Sequence, residues 1–252
     1  MDKIKEIVSA INKSKNIVFF GGAGVSTESN IPDFRSPSGL YNQEFNNVNP
    51  ETILSIEYFN DFPKEFYEFY KNNILIENIK PNRVHFLLKE LEKYNLSTII
   101  TQNIDGLHQV ANSDNVIELH GNSNKFTCLS CGKTFSKEYV LNDQHVYPIC
   151  DDCECGLRPN ITLYNEFLDD ISYNTATNVI AECDMLIVGG TSLTVQPACT
   201  LLNLFRGTSL VIINNQFTPY DPLANIVIHD NLGDTLTKIL SELNESKKKG
   251  NN

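Results

Sequence analysis

The chain has 252 residues, of which 41% are hydrophobic, and it carries a formal net charge of −11. It is long enough to bury a substantial core, and no apolar run approaches the ~20 residues that a membrane-spanning helix needs. The acidic balance argues against nucleic acid as the main partner, because phosphates would be repelled unless basic residues were concentrated somewhere, and only the terminal KKKG is such a group.

The first residues and the cysteines both indicate a reducing compartment. Residues 1–15 alternate charged and apolar side chains as an amphipathic helix does, without the apolar core and cleavage site of a signal peptide. Five of the seven cysteines fall between residues 128 and 155, a clustering that indicates metal binding rather than disulfides. We therefore expect a cytoplasmic protein that binds neither membranes nor nucleic acid directly, and we also expect a monomer.

The first predicted strand leads into a glycine-rich turn. An amphipathic helix over residues 3–13 precedes an apolar strand at 16–20, and Gly21-Gly22-Ala23-Gly24-Val25-Ser26-Thr27 follows. Glycines after a strand let backbone amides approach a phosphate, which predicts dinucleotide binding. The turn departs from the dehydrogenase fingerprint, because Thr27 replaces the third glycine and no acidic residue follows about 20 positions on to hold a ribose.

Pro32 interrupts any helix that starts at the glycine turn, so residues 29–35 predict a loop that folds over whatever the glycines hold. Arg35 in that loop could face phosphate or carboxylate oxygens, or it could pair with Asp33 in a surface turn. The aromatic-rich residues 51–79 and the amphipathic residues 82–94 predict packed helices.

Polar side chains follow the next two predicted strands, at the point where each strand ends. The β-branched run 97–101 ends in Gln102-Asn103-Ile104-Asp105-Gly106, and the apolar run 116–119 ends at His120. Ligands of open α/β sheets bind at such carboxyl ends, so His120 and Asn103 are the candidate catalytic residues. The alternative is an ordinary loop with Asx turns and a hydrogen-bonded structural histidine.

Two cysteine pairs predict a zinc site. Cys128-x-x-Cys131 and Cys150-x-x-Cys153 are separated by eighteen residues, a spacing at which four thiolates hold one tetrahedral ion. Four sulfurs leave no position for water, so the metal would be structural. Cys155 leaves another choice open, because Cys150-x4-Cys155 is also geometrically possible, although Cys153 is preferred.

The remaining chain alternates strands and helices. An extended run at 160–164 ends at Asn165-Glu166, and the strand at 185–188 ends in Gly189-Gly190-Thr191-Ser192, a second turn with amide and hydroxyl donors for a phosphate. Further units end in a helix at 232–243. This alternation predicts an α/β fold with a doubly wound, Rossmann-like parallel sheet, interrupted by a smaller zinc-ribbon and helical module.

With these segments in this order, residues 3 to 243 resemble the sirtuins of the bacterial type, which are NAD-dependent protein deacylases. The family's cofactor loop is matched by Gly22-Ala23-Gly24-Val25-Ser26 with Ile31-Pro32-Asp33-Phe34-Arg35. Its catalytic signature is matched by Thr101-Gln102-Asn103-Ile104-Asp105 with His120-Gly121. Its loop for phosphate and peptide is matched by Gly190-Thr191-Ser192-Leu193 with Val195 and Pro197-Ala198. The resemblance implies a single sirtuin domain. Its large lobe would comprise about residues 1–35, 82–120 and 161–245, and its small lobe about 36–80 (helical) and 121–160 (zinc ribbon).

The resemblance also implies the ligands and their contacts. NAD would be consumed as a co-substrate and Zn²⁺ would be structural. The expected NAD contacts are Gly22, Ala23, Gly24, Ser26, Thr27, Asp33, Phe34, Arg35, Gln102, Asn103, Ile104, Asp105, His120, Gly190, Thr191, Ser192, Asn214, Asn231 and Leu232. An acylated-lysine protein or peptide would be bound by Phe34, Ile104, Tyr164, Asn165, Glu166 and Val195.

The implied reaction is the removal of an acyl group from lysine. The acyl oxygen attacks C1′ of the nicotinamide ribose as nicotinamide departs, His120 acts as general base on a ribose hydroxyl, and water releases lysine and O-acyl-ADP-ribose. Two alternatives remain: mono-ADP-ribosyl transfer or NAD hydrolysis, which needs the same pocket without an acyl-lysine channel, and a non-catalytic NAD-responsive binding module.

Three positions depart from the family pattern. Phe-Gly-Glu of the family is Tyr164-Asn165-Glu166 here, and the glycine before Ile31 is Asn30. Asparagine tolerates positive φ better than other non-glycine residues, so we expect the fold to persist and peptide affinity or acyl preference to change. The succinyl-preferring subclass has an arginine three residues after the position of Tyr41, where this chain has Glu44. A carboxylate would be repelled, which predicts acetyl or another uncharged acyl group.

Overall fold

A parallel sheet forms the centre of this computed structural model, which describes residues 2–33, 39 and 45–250, the side chains of 249 and 250 excepted. The strands are β1 (Ile17–Gly21), β2 (Leu96–Thr101), β3 (Val116–Glu118), β4 (Gly121–Cys128), β5 (Thr134–Ser136), β6 (Leu157–Ile161), β7 (Met185–Gly189), β8 (Ser209–Ile213) and β9 (Ile226–Ile228). Phe34, Arg35, Tyr41 and Glu44 lie outside the described residues, so their predicted roles stay predictions.

The helices precede, connect and follow these strands. They are α1 (Lys3–Lys13), α2 (Pro50–Ile53), α3 (Ile56–Asp61), α4 (Pro63–Asn73), α5 (Arg83–Leu91), α6 (Leu107–Val110), α7 (Lys137–Asn142), α8 (Asp170–Glu182) and α9 (Leu232–Gly250). Side chains cap several of them: Asn82 accepts from the Val84 amide at 2.8 Å, and the Asn82 amide donates to His85 Nδ1 at 3.2 Å. His85 therefore closes the first turn of α5, a structural role.

The large sheet has the strand order β3-β2-β1-β7-β8-β9, and all its strands are parallel. Every residue of β1 and β7 is buried, as expected of central parallel strands that helices cover on both faces. Side chains of α1, α5 and α9 form the core on one face, and those of α8 and the 3₁₀ segment Ala198–Leu204 contribute to the core on the other. The strand order reverses direction between β1 and β7.

A second sheet of three antiparallel strands, in the order β5-β4-β6, belongs to a separate core. Aromatic side chains of α3 and α4 pack against it, and the Tyr67 hydroxyl donates to the Leu157 carbonyl at 2.9 Å. The aromatic residues at 51–79 are therefore packed in helices, as expected. The lobe boundaries given above stay a prediction.

Two elements differ from the sequence expectation. The extended run expected at 160–164 is β6 at Leu157–Ile161, which includes Pro159, and the last helix continues beyond residue 243 to Gly250. Proline is tolerated in β6 because this strand is an edge of its sheet and needs hydrogen bonds on one side only. None of the helices in the described part of the chain is long and apolar enough to cross a membrane.

Candidate active site

A cavity of about 500 Å³ lies where the strand order of the large sheet reverses. The turns that follow β1 and β7 contribute Gly22, Gly24 and Gly190 to its wall, and the ends of β2 and β3 contribute Gln102 and His120. Carboxyl ends of adjacent parallel strands meet at such a reversal and leave a crevice between them. The topology therefore brings together side chains that are distant in sequence.

The two glycine turns pack directly on one another. The Gly24 amide donates to the Gly190 carbonyl at 2.8 Å, and a Cβ added to Gly24 would lie 2.7 Å from the Gly190 Cα. A Cβ on Gly22 would meet the Thr191 Cβ at 2.8 Å. Glycine is thus needed here so that two backbones can approach each other. The sequence predicts that these glycines expose amides to a phosphate, but the Gly24 amide is already bonded to the Gly190 carbonyl.

Ser26 connects the loop after β1 to the loop after β2. Asn103 Nδ2 donates to Ser26 Oγ at 3.0 Å, and Ser26 Oγ donates to Asp105 Oδ2 at 2.7 Å. The other carboxylate oxygen, Asp105 Oδ1, accepts from the Leu107 amide at 2.9 Å. Ser26 and Asn103 are both buried. Three of the predicted site residues thus form one hydrogen-bonded chain, which fixes the orientation of the Asn103 amide and the Asp105 carboxylate.

His120 lies at the end of the segment that follows β3, and its ring is oriented by the backbone. His120 Nδ1 lies 2.7 Å from the Gln102 carbonyl oxygen. A carbonyl can only accept, so Nδ1 carries the proton and the lone pair is on Nε2. Burial lowers the pKa of His120, and the hydrogen bond to Gln102 opposes this shift. A neutral imidazole with a free Nε2 can accept a proton from a bound ligand.

Gln102 is itself anchored on two sides. Its amide donates to the Gly21 carbonyl at 3.0 Å, and its side-chain Nε2 donates to Thr191 Oγ1 at 3.0 Å. The hydrogen bonds of Gln102 therefore link β1, β2, the turn after β7 and the His120 ring. This network makes the position of His120 a consequence of the strand order of the sheet.

Gly121 redirects the chain from the large sheet into the small one. It has φ +78°, and an added Cβ would lie 2.1 Å from the Asn160 carbonyl oxygen, so both the conformation and the space require glycine. The His120 carbonyl also accepts from the Thr162 amide at 2.9 Å. The residue after His120 thus joins the two sheets at the cavity.

The segment that follows β6 forms another wall. Both backbone groups of Tyr164 are bonded to residues 54 and 56, because its amide donates to Leu54 O at 2.9 Å and its carbonyl accepts from Ile56 N at 3.1 Å. Glu166 closes the turn, since its Oε2 accepts from the Leu163 amide at 2.8 Å and from Arg158 at 2.5 Å. The Glu166 carboxylate therefore orders this wall.

The two asparagines that replace family glycines both adopt the left-handed conformation. Asn30 has φ +61° and Asn165 has φ +68°. The Asn165 side chain also donates to Glu57 Oε2 at 2.9 Å. These turns therefore keep a backbone conformation that favours glycine, and Asn165 adds an anchor to α3.

The cavity gathers the predicted residues that the structure describes. Its lining includes Gly22, Ala23, Gly24, Ser26, Thr27, Asp33, Gln102, Asn103, Ile104, Asp105, His120, Tyr164, Asn165, Glu166, Gly190, Thr191, Ser192, Val195, Asn214, Asn231 and Leu232. Shared lining does not assign a ligand contact to each residue, so their individual roles stay predictions.

The cavity also includes residues that the sequence analysis did not identify. Glu28, Asn215, Gln216 and Gly233 are neighbours of predicted residues and could have been found by extending the motifs. Others come from the helical module and α7, and no motif indicates them because tertiary packing alone brings them to the cavity; they are Leu54, Asn73, Ile74, Ile76, Ile79 and Lys137.

Two buried histidines pack against each other close to Asp105. The rings of His85 and His108 have centroids 4.8 Å apart, and the side chains are almost completely buried. Burial lowers the pKa of both; that of His108 falls to about 3, with the nearby His85 contributing. Both imidazoles are therefore neutral at neutral pH.

Four cysteines form a separate cluster in the small sheet. The Sγ atoms of Cys128, Cys131, Cys150 and Cys153 all lie within 4.8 Å of one another, with 3.4 Å between Cys128 and Cys153. Zinc with Zn–S bonds of about 2.3 Å places tetrahedral sulfurs about 3.8 Å apart, so the donor set fits this ion. Among the described cysteines, Cys155 is not part of the group. The fourth sulfur of the cluster is that of Cys153, and the role of Cys153 as a zinc ligand stays a prediction.

Backbone amides support the same cluster. The amides of Ser130 and Asp152 each lie 3.4 Å from a sulfur, that of Cys128 and of Cys150 respectively. Such amides stabilise the thiolate form that a metal requires. Four sulfurs complete a tetrahedron and leave no position for a substrate, so this centre fits a structural ion.

The strand order of the large sheet and the glycine-walled cavity at its reversal define a Rossmann-like, dinucleotide-binding class of protein. Residues 22–197 match the Sir2 family. A protein of Clostridium tetani named NAD-dependent protein deacetylase is 49% identical over 245 residues, covering 96% of this chain and 99% of the relative. The chain therefore belongs to the Sir2 family, the sirtuins.

Solved structures agree with this assignment. A structure of Sir2 with a p53 peptide and NAD⁺ has a TM-score of 0.84 at 36% identity and covers 95% of this chain and 98% of that chain. A Sir2 variant with a deacetylated p53 peptide and 3′-O-acetyl-ADP-ribose has a TM-score of 0.88, with the same identity and coverage. The family and the fold class predicted from the sequence are both confirmed.

Proposed function

We propose that this chain is an NAD-dependent protein lysine deacetylase. It removes acetyl or another uncharged acyl group from lysine and yields nicotinamide, an O-acyl-ADP-ribose and free lysine. The observation that carries the proposal is the His120 ring, whose Nε2 carries a lone pair in the same cavity as the two glycine turns and the Tyr164 wall. A proton acceptor, a dinucleotide site and a peptide site thus share one cavity.

NAD binds along the wall made by the ends of β1, β2 and β7. The residues that would contact the pyrophosphate and riboses are Ala23, Ser26, Arg35, Gln102, Thr191, Ser192 and Asn214, and Asn231 and Leu232 would lie near the adenine. When bound, NAD supplies the ADP-ribosyl group that accepts the acyl group. The Asp105 carboxylate, oriented by Ser26 and the Leu107 amide, accepts a hydrogen bond from the nicotinamide carboxamide.

His120 performs the proton transfer. Its Nε2 takes the proton of a ribose hydroxyl, and the Gln102 carbonyl holds the Nδ1 proton throughout, so the imidazolium that forms is stabilised where it stands. Burial favours the neutral base before the transfer. Asn103, held by Ser26, closes the same part of the cavity and excludes water that would hydrolyse the activated ribose.

The chain binds acyl-lysine peptides in the cleft between residues 161–166 and the loop at Val195. The peptide adds its backbone to this segment as a strand, a mode that tolerates many sequences. Ile104, His120, Tyr164 and Val195 surround the acyl group. The Tyr164 side chain replaces a family phenylalanine, so its hydroxyl changes the polarity of the channel and with it the preference among uncharged acyl groups.

The other proposals concern the chain as a whole. Cys128, Cys131, Cys150 and Cys153 would hold a Zn²⁺ ion that stabilises the small lobe and takes no part in the reaction. The protein works as a cytoplasmic monomer, and the formal charge of −11 disfavours binding to nucleic acid or anionic membranes. Sedimentation of the purified protein would test the monomeric state, and its retention on anionic vesicles would test membrane binding.

The test of the function is the mass spectrum of the product formed from NAD and an acetyl-lysine peptide. We expect O-acetyl-ADP-ribose, nicotinamide and a peptide that has lost its acetyl mass. Release of nicotinamide with the acetyl group retained would instead identify an NAD hydrolase or ADP-ribosyltransferase. His120→Tyr should bind NAD and lack deacetylation, whereas His145→Gln, at an exposed position, should behave as the wild type.

A further inference from the structure

Arg83, the first residue of α5, joins three segments of the chain at one end of the cavity. Its guanidinium donates two parallel bonds to the Glu28 carboxylate, from Nε and Nη2, both of 2.8 Å. It also donates to Asp234 Oδ1 at 2.6 Å and to Asn231 Oδ1 at 3.1 Å. Glu28 follows the first glycine turn and Asn231 precedes α9, so one side chain holds the loop after β1, α5 and α9 together.

The geometry of these bonds is specific to arginine. A planar guanidinium can present a two-pronged fork to one carboxylate and a third donor to another, whereas a lysine ammonium cannot. The hydrogen bonds of Arg83 lower the pKa of Glu28, so this carboxylate remains charged. The Arg83 side chain is 45% exposed, and exposed ion pairs contribute little to the free energy of folding. We therefore expect Arg83 to affect the position of the segments that it contacts more than the free energy of unfolding.

Gly233 shows how closely the guanidinium approaches the start of α9. A Cβ added to Gly233 would lie 2.7 Å from Arg83 Nε and 2.9 Å from its Cζ. Glu28, Asn231, Leu232 and Gly233 all line the cavity, whereas Arg83, which is bonded to Glu28 and Asn231, is not one of the lining residues. The guanidinium thus contacts residues of the cavity wall without lining the cavity itself.

We propose that Arg83 is a positioning residue that fixes the wall at which the adenosine end of NAD binds. This inference rests on the proposed function, in which Asn231 and Leu232 contact the adenine. Without the guanidinium, the loop at Glu28 and the start of α9 can move independently, and NAD must order them when it binds. The affinity for NAD then falls, while chemistry at His120 proceeds unchanged once NAD is bound.

The kinetic constants of Arg83 variants test this role. We expect Arg83→Ala to raise the KM for NAD about 3- to 10-fold, the range expected for lost charge-assisted hydrogen bonds that are partly exposed. The kcat and the KM for the peptide should stay within about twofold of the wild type. Arg83→Lys keeps the positive charge without the two-pronged fork, so its KM for NAD should lie between those of the wild type and Arg83→Ala.

Lys89 provides the matched control. It lies on the same helix and pairs with Glu92 at 2.5 Å and Asp114 at 2.6 Å, away from the cavity lining. Lys89→Ala removes a comparable ion-pair network and should leave all three kinetic constants at wild-type values. Should Arg83→Ala fail to fold, Glu28→Gln breaks the same fork with a side chain of nearly equal shape, and it should raise the KM for NAD in the same way.

The proposal is wrong if Arg83→Ala lowers the melting temperature while the KM for NAD remains within twofold of the wild type, because the residue is then structural only. It is equally wrong if kcat falls and the KM for NAD does not change. Failure of the proposed function has a different signature, which is a wild-type protein that does not deacetylate peptide. In that case calorimetric titration of wild type and Arg83→Ala with NAD still measures the difference in affinity.

Discussion

The Nδ1 proton of His120 and the carbonyl oxygen of Gln102 form a hydrogen bond of 2.7 Å that joins the segment after β3 to the end of β2. This one bond assigns the tautomer of the imidazole, because the acceptor cannot donate. It also opposes the effect of burial, which lowers the pKa of His120. The reactive nitrogen is therefore Nε2, and its protonation state sets the activity at acid pH.

The pH dependence of deacetylation should reflect this lowered pKa. His120 must be neutral to act as a base, so activity is present above its pKa and is lost as the pH falls through it. We expect the acid limb of kcat/KM to have its midpoint below 6.5, the ordinary value for histidine. Initial rates with NAD and acetyl-lysine peptide from about pH 5 to 8 would measure it. A midpoint above 6.5 would contradict the assignment.

The positions of the catalytic candidates could be predicted from the sequence because they follow local apolar runs. Gln102 comes directly after the buried end of β2, and His120 comes two residues after β3, directly after the buried Leu119; parallel strands bring such ends together. The two glycine turns were recognised in the same way. The sequence alone does not show why glycine is required in these turns, because the contact between Gly24 and Gly190 depends on β1 and β7 being neighbours in the sheet.

Other features are set by tertiary structure alone. The position of β6 depends on its pairing with β4, in which Leu157 lies opposite Cys128 and Ile161 opposite Gly121. The sequence pattern predicts this extended run at 160–164, three residues later than the strand, because the pairing with β4 leaves no signal in the local sequence. The cavity residues from α7 and the helical module, and the contacts of Arg83, have no sequence signal because each depends on a distant element.

Gly121→Ala should destabilise the protein far more than Gly132→Ala. Both glycines have positive φ, +78° and +73°, so both substitutions incur the backbone strain of about 1–2 kcal/mol. Only at Gly121 does the new Cβ also meet a carbonyl oxygen, at 2.1 Å, whereas nothing lies within 4 Å at Gly132. We expect Gly121→Ala to lose about 2 kcal/mol more than Gly132→Ala in urea unfolding. Equal losses would show that the backbone relaxes at Gly121.

Cys153→Ser and Cys155→Ser should differ in zinc content. Cys153 Sγ is part of the four-sulfur cluster, and Cys155 contributes its carbonyl, which accepts from the Cys150 amide at 2.8 Å. We expect about one zinc per chain in the wild type and in Cys155→Ser, and a loss of bound zinc in Cys153→Ser. Elemental analysis after dialysis against a chelator measures both. Zinc loss from Cys155→Ser alone would reverse the ligand assignment.

His108→Gln should reduce the loss of stability at acid pH. Burial, aided by His85, lowers the pKa of His108 to about 3. Below pH 6.5 His108 is therefore protonated in the unfolded chain and remains neutral in the folded protein until the pH is much lower. Above pH 6.5, His108 adds no pH dependence to the free energy of unfolding. As the pH falls below 6.5, His108 lowers this free energy by about 1.4 kcal/mol per pH unit, which amounts to about 2 kcal/mol at pH 5.

Urea unfolding of the wild type and the variant at about pH 7.5 and pH 5 isolates this contribution, because any packing loss in His108→Gln is the same at both values. We expect the variant to lose about 2 kcal/mol less than the wild type between the two. His145→Gln, which replaces an exposed histidine, is the control. If the wild type and His108→Gln lost equal stability, the buried imidazole would accept its proton in the folded state, and the pair with His85 would not be neutral.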